Sequence, residues 1–481
     1  MFQGTGSDVG KSLMVAGLAR VLVRRGLKVL PFKPQNMSNN AAVTKEGGEI
    51  GRAQALQAQA AKVDATVDMN PVLLKPQSDV GAQVVVHGKV RGNAKARDYQ
   101  KLKPDLLPEV MESFERLKEN ADIVLIEGAG SASEINLRDG DIANMGFATA
   151  TDVPVVLVAD IDRGGVIGSL VGTWHVVSET EKKLIVGYII NKFRGDQSLF
   201  DDGIDIIKEQ TSLGCFGIVP FLPVVAQLPA EDSMALEQRR SESGDGMVKI
   251  AVPRLAHISN FDDFDPLIAE PSVQLDFIPP GQALPGDANL VILPGSKATI
   301  ADLKDFQVQG WDLDLEAHIR RGGSVLGICG GYQMLGTHLF DPEGIEGMSN
   351  DIPGLGYLGL QTILTSDKSL SEVAGQAFAS LGKVCGYEMH SGQTMGAAIT
   401  QPFASLGDHA DGAVSEDGKI MGCYIHGLFA EDEFRSAFLN RLRPGSGSGL
   451  NYEAEVERAL ESLADGLETV LDIDALIKAA R

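Results

Sequence analysis

Residues 4–12 read GTGSDVGKS, and this stretch decides the fold of the first half of the chain. Its glycines allow a tight loop in which backbone N–H groups turn toward phosphate oxygens. Lys11 supplies positive charge to the outer phosphates, and the Ser12 hydroxyl is suited to ligate Mg²⁺. Residues 13–25, directly after the loop, have the apolar spacing of a helix. The pattern therefore predicts a strand, a phosphate-binding loop and a helix that bind ATP with Mg²⁺.

The loop differs from the strict P-loop pattern at Thr5, where that pattern has a glycine. Glycines flank this position, and the form resembles the dethiobiotin-synthetase branch of P-loop proteins. Since only three residues precede Gly4, we expect the first strand to be short. The alternative, a glycine-rich turn that merely precedes a lysine, is disfavoured by the helical spacing that follows. The predicted nucleotide-binding residues are Gly4, Thr5, Gly6, Gly10, Lys11, Ser12 and Asn191.

Polar side chains also follow apolar runs further along the first half, where buried parallel strands are expected to end. Glu127, Asp160, Asp162 and Asn191 occupy such positions. The carboxyl ends of parallel strands meet where a nucleotide binds in folds of this kind. We therefore predict that Glu127 joins Ser12 as a Mg²⁺ ligand and that Asn191 contacts the base. For Asp160 and Asp162 the competing interpretation is that they cap helices or turns.

The composition excludes several classes of protein. The chain has 481 residues with 42 Lys and Arg against 65 Asp and Glu, a net charge of −23, which disfavours binding to nucleic acid or anionic lipid. No apolar run approaches the length of a membrane span, and no signal sequence precedes the loop. Four cysteines are too few for a disulfide framework and indicate a reducing compartment. We expect a cytoplasmic enzyme that acts on small molecules.

Apolar runs alternate with segments of helical spacing in both halves, which is typical of doubly wound α/β domains. The expected strands include residues 122–126, 153–159, 184–190, 248–252, 290–293, 324–328 and 422–425, and the expected helices include residues 53–61 and 107–118. A polar stretch separates the halves. We predict an ATP-binding domain at residues 1–236, a linker at 237–247, a second α/β domain at 248–443 and a helical tail at 444–481.

Residues 327–331 read GICGG, and Cys329 lies at a predicted turn from a strand into a helix. Flanking glycines fit such a crowded turn, and a helix N-terminus lowers the pKa of a thiol toward the reactive thiolate. Cys329 is therefore the predicted nucleophile, in preference to a cysteine that only fills a core. Backbone N–H groups at Gly295, which follows another apolar run, and at Gly330 are predicted to form an oxyanion hole.

A thiol nucleophile needs a base, and His426 stands just beyond the run at residues 422–425. His426 is the predicted base. His390, in the stretch GYEMHSG at residues 386–392, is the one rival for a role in the site.

Cys329 and His426 on these motifs resemble the class I glutamine amidotransferase domain, in which a thiolate attacks the glutamine amide and releases ammonia. The familiar form of that domain has an acidic residue two positions after the histidine, where this chain has Leu428. The resemblance therefore implies a Cys/His dyad with no acidic partner evident in the sequence. This departure itself resembles the branch that amidates corrinoids and related carboxylates.

A dethiobiotin-synthetase-like half joined to such a glutaminase half resembles the cobyrinate amidotransferase family, over nearly the whole chain. Within that family, several stretches are similar to the branch that amidates the b, d, e and g side chains of adenosylcobyrinic acid a,c-diamide, rather than the a and c side chains. These stretches are FKPQNMS at residues 32–38, MNPVLLKP at 69–76, EINL at 134–137 and PRLAHISNF at 253–261.

The resemblance implies that ATP activates a carboxylate as an acyl phosphate and that ammonia from glutamine displaces the phosphate. It implies ATP and Mg²⁺ as cofactors, with glutamine and adenosylcobyrinic acid a,c-diamide as substrates. The oligomeric state is left open. The residues considered for contact with the substrate are Lys33, Asp160, Asp162 and His390.

Two alternatives compete with this interpretation. The first alternative is a related amidotransferase with the same two domains that amidates another carboxylate, such as the a and c groups of cobyrinic acid or a peptidoglycan glutamate. The stretches at residues 134–137 and 253–261 argue against it. A non-catalytic P-loop ATPase of the partitioning type would be expected to lack Cys329 or His426, and both are present.

Overall fold

The glycine-rich loop connects the end of a central parallel strand to the first helix, as the sequence predicts. The computed structural model describes residues 1–78, 81–231, 244, 246–347 and 350–480. The strands of the first half are β1 (Phe2–Gly4), β2 (Val29–Phe32), β3 (Gln35–Met37), β4 (Ala41–Val43), β5 (Glu49–Gly51), β6 (Val72–Ser78), β7 (Gly81–Val86), β8 (Lys89–Lys95), β9 (Ile123–Ser131), β10 (Val155–Asp160), β11 (Ile185–Phe193) and β12 (Gly214–Pro220). The helices of the first half are α1 (Lys11–Arg24), α2 (Arg52–Ala60), α3 (Ala96–Glu119), α4 (Met145–Thr151), α5 (Val166–Val176), α6 (Glu179–Lys182) and α7 (Asp201–Thr211).

Six of these strands form one parallel sheet in the order β12-β11-β10-β1-β9-β2. Strand β1 has only three residues, so the expectation of a short first strand is confirmed. It lies between β9 and β10, and the loop therefore emerges at the centre of the sheet's carboxyl edge. Strand β9 extends beyond the predicted end at residue 126, because its later residues also pair with β1. The last pair is Ser131 of β9 with Gly4 of β1.

A second sheet in the first half has the order β3-β6-β7-β8, and its hairpin of β6 and β7 reaches the second half of the chain. Helix α3 begins eleven residues before the predicted start at residue 107, although Pro104 and Pro108 lie inside it. Pro104 and Pro108 are both exposed, so the backbone carbonyls that lose a donor there remain accessible to water.

The second half forms two further sheets. Its strands are β13 (Val248–Pro253), β14 (Val273–Ile278), β15 (Leu290–Leu293), β16 (Ser324–Ile328), β17 (His338–Asp341), β18 (Asn350–Pro353), β19 (Leu360–Ala377), β20 (Lys383–Gly396), β21 (Ala404–Leu406), β22 (His409–Asp411), β23 (Ala413–Val414), β24 (Ile420–Cys423) and β25 (Ile425–His426). Its helices are α8 (Asp265–Ile268), α9 (Thr299–Val308), α10 (Trp311–Arg320), α11 (Gly330–Met334) and α12 (Asp432–Leu442).

The first of these sheets has the order β14-β13-β15-β16-β24-β23 and is parallel except for β23. The second contains β18-β17-β19-β20-β25, with β21 and β22 beside β19. The predicted single strand at residues 422–425 is in fact two strands, because the chain leaves the parallel sheet after Cys423 and pairs with β20 from Ile425 onward. This change of sheet places His426 between the two sheets.

The predicted helical tail contains α13 (Tyr452–Val470) and α14 (Ile473–Ala479). Leu460, Leu463 and Leu467 of α13 share a buried core with α1, so the tail packs on the first half although it follows the second in sequence. Most of the predicted linker at 237–247 lies outside the described residues. Within the described ranges, none of the helices has the length and apolar character that a membrane span requires.

Arg20 of α1 anchors this tail and is fully buried. Its guanidinium donates to Glu457 at 2.9 Å and to Glu461 at 2.6 Å on α13, and to the carbonyl oxygen of Ala60 at 2.8 Å. These charge-assisted bonds join α1, α2 and α13 at one point.

We expect Arg20→Met to lower the free energy of unfolding by about 1–3 kcal/mol, because buried carbonyl acceptors lose their donors while the two glutamates stay partly hydrated. Urea unfolding of the full chain measures this. Arg25→Met is the matched control, since Arg25 also pairs with the tail but is about one third exposed, and its effect should be clearly smaller. Equal losses in the two variants would contradict the role given to Arg20.

Candidate active sites

The phosphate loop is tightly packed at the edge of the first sheet. Gly10 has a φ of 91° and caps α1, and a Cβ there would lie 2.3 Å from the side-chain nitrogen of Asn191. Asn191 donates to the carbonyl oxygen of Val9 at 2.8 Å, so this predicted nucleotide ligand supports the loop directly. A larger residue than glycine at position 10 would displace that contact.

Lys11 points along the loop toward β9 and donates to the carbonyl oxygen of Gly130 at 3.0 Å. Burial lowers the pKa of Lys11, and the nearby carboxylate of Glu127 works in the opposite direction. An anionic phosphate beside the ammonium would favour its charged form. Contact between Lys11 and a phosphate stays a prediction.

A buried cluster of charged groups surrounds Glu127. The fully buried carboxylate accepts from Ser12 at 2.7 Å, from Lys33 at 2.8 Å and from Gln57 at 2.6 Å. Glu231 joins the cluster and accepts from Lys33 at 2.6 Å and from the Ser12 hydroxyl. Burial opposes the charge on Lys33, but the two carboxylates outweigh it and raise the pKa of Lys33.

The cluster suits a hard cation. The Ser12 hydroxyl has one proton for two carboxylate neighbours, Glu127 and Glu231, so three oxygens converge there, with the ammonium of Lys33 balancing part of the carboxylate charge. Oxygen sets of this kind are the ligands that Mg²⁺ prefers. The structure brings the predicted ligands Ser12 and Glu127 together. Glu231 was missed, since nothing in its local sequence separates it from a surface acid.

The remaining polar residues of this edge are paired with cations of β11 and the segment that follows it. Asp160 contacts Lys192 at 2.9 Å, and Asp162 contacts Arg194 at 2.6 Å. Lys33, predicted to contact substrate, lies instead between the two carboxylates of the cluster. Substrate contact by these three residues stays a prediction.

In the second half, Cys329 lies at a sharp turn between β16 and α11. Its φ of 51° and ψ of −108° are unusual for a residue with a side chain, and this kind of strain occurs at functional sites. A Cβ at the neighbouring Gly331 would lie 2.0 Å from the carbonyl oxygen of Leu293, so only glycine fits there. The turn predicted from the sequence GICGG is confirmed.

His426 is fully enclosed beside Cys329, whose thiol donates to the carbonyl oxygen of Met389 at 3.5 Å. Its Nδ1 lies 2.7 Å from a carboxylate oxygen of Asp263, whose other oxygen accepts from the backbone N–H of Gly427 at 2.6 Å. Burial lowers the pKa of His426, but Asp263 and Cys329 outweigh this effect and raise it to about 10. The three side chains form a Cys–His–Asp arrangement.

The expectation of a dyad without an acidic partner needs correction in one respect. The acid is present, but it comes from residue 263, far upstream of His426, instead of two positions after it. A short turn at Phe261–Phe264 delivers it. The only sequence signal was that this acid lies just beyond the family-like stretch at residues 253–261.

The other residues predicted for this site lie around it. A Cβ at Gly295 would lie 3.1 Å from the imidazole of His426, and one at Gly330 would lie 2.9 Å from the backbone nitrogen of Ser296. His390 stacks on Tyr424 with ring centres 3.7 Å apart. Burial and then the nearby His426 lower the pKa of His390 to about 4, so it is neutral at physiological pH.

Cys329 opens into a pocket of about 60 Å³ that residues from both halves of the chain line. Lys75 and Gln77 of β6 come from the first half, whereas Lys297, Lys368 and His390 come from the second. Further contacts fix the two halves together beside this pocket: Asn260 donates to the carbonyl oxygen of Ala41 at 2.9 Å, Tyr387 donates to the same oxygen at 3.1 Å and Arg52 lies 3.0 Å from Asp262. The thiol site is therefore closed by the nucleotide-binding half.

Comparison with known families agrees with both sites. Residues 1–235 match the CobQ/CobB/MinD/ParA nucleotide binding domain, and residues 249–434 match the CobB/CobQ-like glutamine amidotransferase domain. The fold class predicted from the sequence is confirmed. The chain is a glutamine amidotransferase in which one polypeptide carries both the nucleotide-binding and the amidotransferase domain.

Relatives that match over the full length identify the family within this class of glutamine amidotransferases. The cobyric acid synthase of Brucella anthropi is 59% identical over 477 residues, covering 99% of this chain and 98% of that protein. The cobyric acid synthase of Brucella suis biovar 1 is 58% identical over 481 residues, and that of Methylorubrum populi is 57% identical over 483 residues, each covering 100% of this chain and 99% of the relative. The chain belongs to the cobyric acid synthase family.

We expect Asp263→Asn to reduce glutamine hydrolysis by about 10²- to 10⁴-fold, because the imidazolium loses its anionic partner. The same loss lowers the pKa of His426, so the imidazolium that supports the Cys329 thiolate disappears at lower pH than in the wild type. The rate of Cys329 alkylation by iodoacetamide, followed as a function of pH, measures the second effect.

Amidation with ammonia as the nitrogen donor is the internal control, and it should stay near the wild-type rate. Asp287→Asn is the matched variant, since Asp287 pairs with Lys249 on the surface of the same domain. An unchanged pH profile in Asp263→Asn would show that Asp263 does not set the protonation of His426.

Proposed function

We propose that the protein uses ATP and glutamine to amidate the b, d, e and g carboxylates of adenosylcobyrinic acid a,c-diamide and so produces cobyric acid. The coarser activity, glutamine-dependent amidation in cobalamin biosynthesis, follows from membership of the family. One observation supports the coupling of the two half-reactions: a Cys–His–Asp site and a P-loop carboxylate cluster lie in one chain, and the first half lines the pocket of the thiol. The choice of substrate is supported by the cobyric acid synthases that match over the full length.

In the glutaminase half, the thiolate of Cys329 attacks the side-chain amide carbon of glutamine. The N–H groups of Gly295 and Gly330 are proposed to bind the oxygen that becomes negatively charged. His426 then gives its proton to the departing nitrogen, and ammonia leaves a γ-glutamyl thioester on Cys329. Water, deprotonated by His426, hydrolyses the thioester to glutamate and restores the thiol. Asp263 keeps the imidazole in the orientation that both proton transfers require.

In the synthetase half, a carboxylate oxygen of the substrate attacks the terminal phosphorus of ATP, and ADP leaves. Lys11 is proposed to stabilise the charge that develops on the phosphoryl oxygens. Ser12, Glu127 and Glu231 would hold Mg²⁺, which neutralises phosphate charge when bound. Ammonia attacks the carbonyl carbon of the acyl phosphate, phosphate leaves with the bonding electron pair, and the amide remains.

The decisive experiment incubates the protein with ATP, Mg²⁺, adenosylcobyrinic acid a,c-diamide and glutamine whose amide nitrogen is isotopically labelled. Mass spectrometry should find label in all four newly formed amides. Label confined to fewer positions, or amidation of cobyrinic acid at the a and c groups instead, would contradict the proposed substrate.

We expect Cys329→Ser to abolish amidation with glutamine and to leave amidation with ammonia largely intact, since the thiolate serves only to release ammonia. Initial rates with the two nitrogen donors measure this. Cys385→Ser is the matched control, because Cys385 is a free cysteine of the same half that does not line the pocket. Equal loss with both donors would contradict the division of labour between the two halves.

We expect Glu127→Gln to slow amidation with ammonia by at least about tenfold and to move the Mg²⁺ titration curve to higher concentration, because a cation ligand loses its charge. Binding of the corrinoid should change little. Glu119→Gln, an exposed position at the end of α3, is the control. If Glu127 only supports the local fold, the variant will melt at lower temperature while its Mg²⁺ curve stays in place.

A further inference from the structure

The pocket of Cys329 is unusually rich in lysine for a protein with a net charge of −23. Lys75, Lys297 and Lys368 all line it. Glu49 of β5 pairs with two of them, since one carboxylate oxygen contacts Lys75 and the other lies 2.5 Å from Lys368. Burial opposes the charge on Glu49, but Lys368 and Lys75 outweigh it and lower the pKa of this carboxyl. Two lysines therefore share one anion.

Lys297 differs from the other two. It donates to the side-chain oxygen of Gln83 at 2.9 Å, and among the described residues no carboxylate lies within ion-pair distance of it. Burial, followed by repulsion from Lys368 and Lys75, lowers the pKa of Lys297 to about 7, and the carboxylates of Glu49 and Glu346 only partly oppose this effect. The positive charge of Lys297 is disfavoured in these surroundings, and an anion that binds beside the ammonium would stabilise it.

The chain position of Lys297 indicates which anion this is. It follows Gly295 by two residues, and Gly295 adjoins the imidazole of His426. A ligand that reaches from Cys329 to Lys297 needs an amide carbon at one end and an anionic group at the other. Glutamine has this form, with its α-carboxylate separated from the side-chain amide by a short aliphatic chain.

We propose that Lys297 binds the α-carboxylate of glutamine and that Gln83, from the nucleotide-binding half, positions its ammonium group. This inference rests on the proposed glutaminase activity and adds a specificity residue to it. Gln83 lies on β7, paired with the strand β6 that carries Lys75. The glutamine site is therefore built by both halves of the chain.

The hairpin of β6 and β7 also links this site to the carboxylate cluster. Asn70, just before β6, donates to the carbonyl oxygen of Lys33 at 3.2 Å, and the N–H of Lys33 donates to the carbonyl oxygen of Met69 at 2.8 Å. Lys33 contacts both Glu127 and Glu231. One hairpin thus positions a residue of the glutamine pocket and is anchored at the synthetase site.

The test compares two reagents that alkylate Cys329. Diazo-oxo-norleucine is a glutamine analogue that carries the α-carboxylate, whereas iodoacetamide has no carboxylate. In Lys297→Gln, the second-order rate of inactivation by diazo-oxo-norleucine should fall by about 10- to 100-fold, since a charge-assisted contact is lost, and the rate with iodoacetamide should stay within about twofold. Glutamate release should show a raised KM for glutamine with kcat largely retained.

Lys304→Gln, an exposed lysine on α9, is the matched control and should leave all these values unchanged. Gln83→Met should raise KM in the same direction as Lys297→Gln, but by a smaller factor. If Lys297 instead stabilises the thiolate, both reagents will slow by the same factor, and that result overturns the proposal. An unchanged KM for glutamine also overturns it. A failure of the proposed function would be seen in a different measurement, because the wild-type protein would then not amidate the corrinoid even with ammonia as the nitrogen donor.

Discussion

A buried carboxylate requires partners that supply positive charge and hydrogen bonds, and Glu127 imposes this requirement on the first half of the protein. It is fully buried, and its partners Ser12, Lys33 and Gln57 come from the start of α1, the end of β2 and the middle of α2. Losing Lys33 would leave the charge uncompensated in the interior, and losing Ser12 or Gln57 would remove a hydrogen-bond donor from a buried carboxylate oxygen. The phosphate loop and its neighbours are thereby fixed before any nucleotide binds.

The segment after Lys33 carries this constraint to the second half. It runs to Ala41, whose carbonyl oxygen accepts from both Asn260 and Tyr387. Asn260 caps the short turn that holds Asp263 against His426. The turn at Phe261–Phe264 and its cap Asn260 therefore contribute both to the docking of the two halves and to the orientation of the base. This arrangement gives a physical reason for the two chemistries to share one chain, since the pocket of the thiol is lined by residues of both halves.

Local patterns predicted the phosphate loop and the turn at Cys329, whereas contacts between residues far apart in the sequence could not be predicted from them. The loop of Lys11 and the turn of Cys329 follow from short stretches in which glycine is sterically required, so both could be predicted from sequence. Asp263 reaches His426 from the other side of the domain, and Glu231 reaches Lys33 across almost two hundred residues. No spacing rule connects such pairs.

The sequence predicts a single strand at residues 422–425 because its residues form a continuous apolar run. In the structure this segment forms two strands, since its first residues pair with β16 and its later residues pair with β20. The packing of α13 on α1 could not be predicted either. The spacing of apolar residues in α13 indicates that one face of the helix is buried, but it does not indicate which surface covers that face.

The distribution of lysine explains how so acidic a protein can bind anionic substrates. Among the described residues, the four most deeply buried lysines are Lys11, Lys33, Lys75 and Lys103, and the first three lie at one or the other of the two sites. A negative surface repels polyanions over long distances, whereas a buried ammonium acts strongly on a group that enters its pocket, because the local dielectric constant is low. We therefore expect affinity for phosphate and carboxylate groups to be concentrated at the two candidate sites. The acidic exterior and the cationic pockets are complementary features, and together they favour small anions that fit the pockets over extended ones that would have to follow the surface.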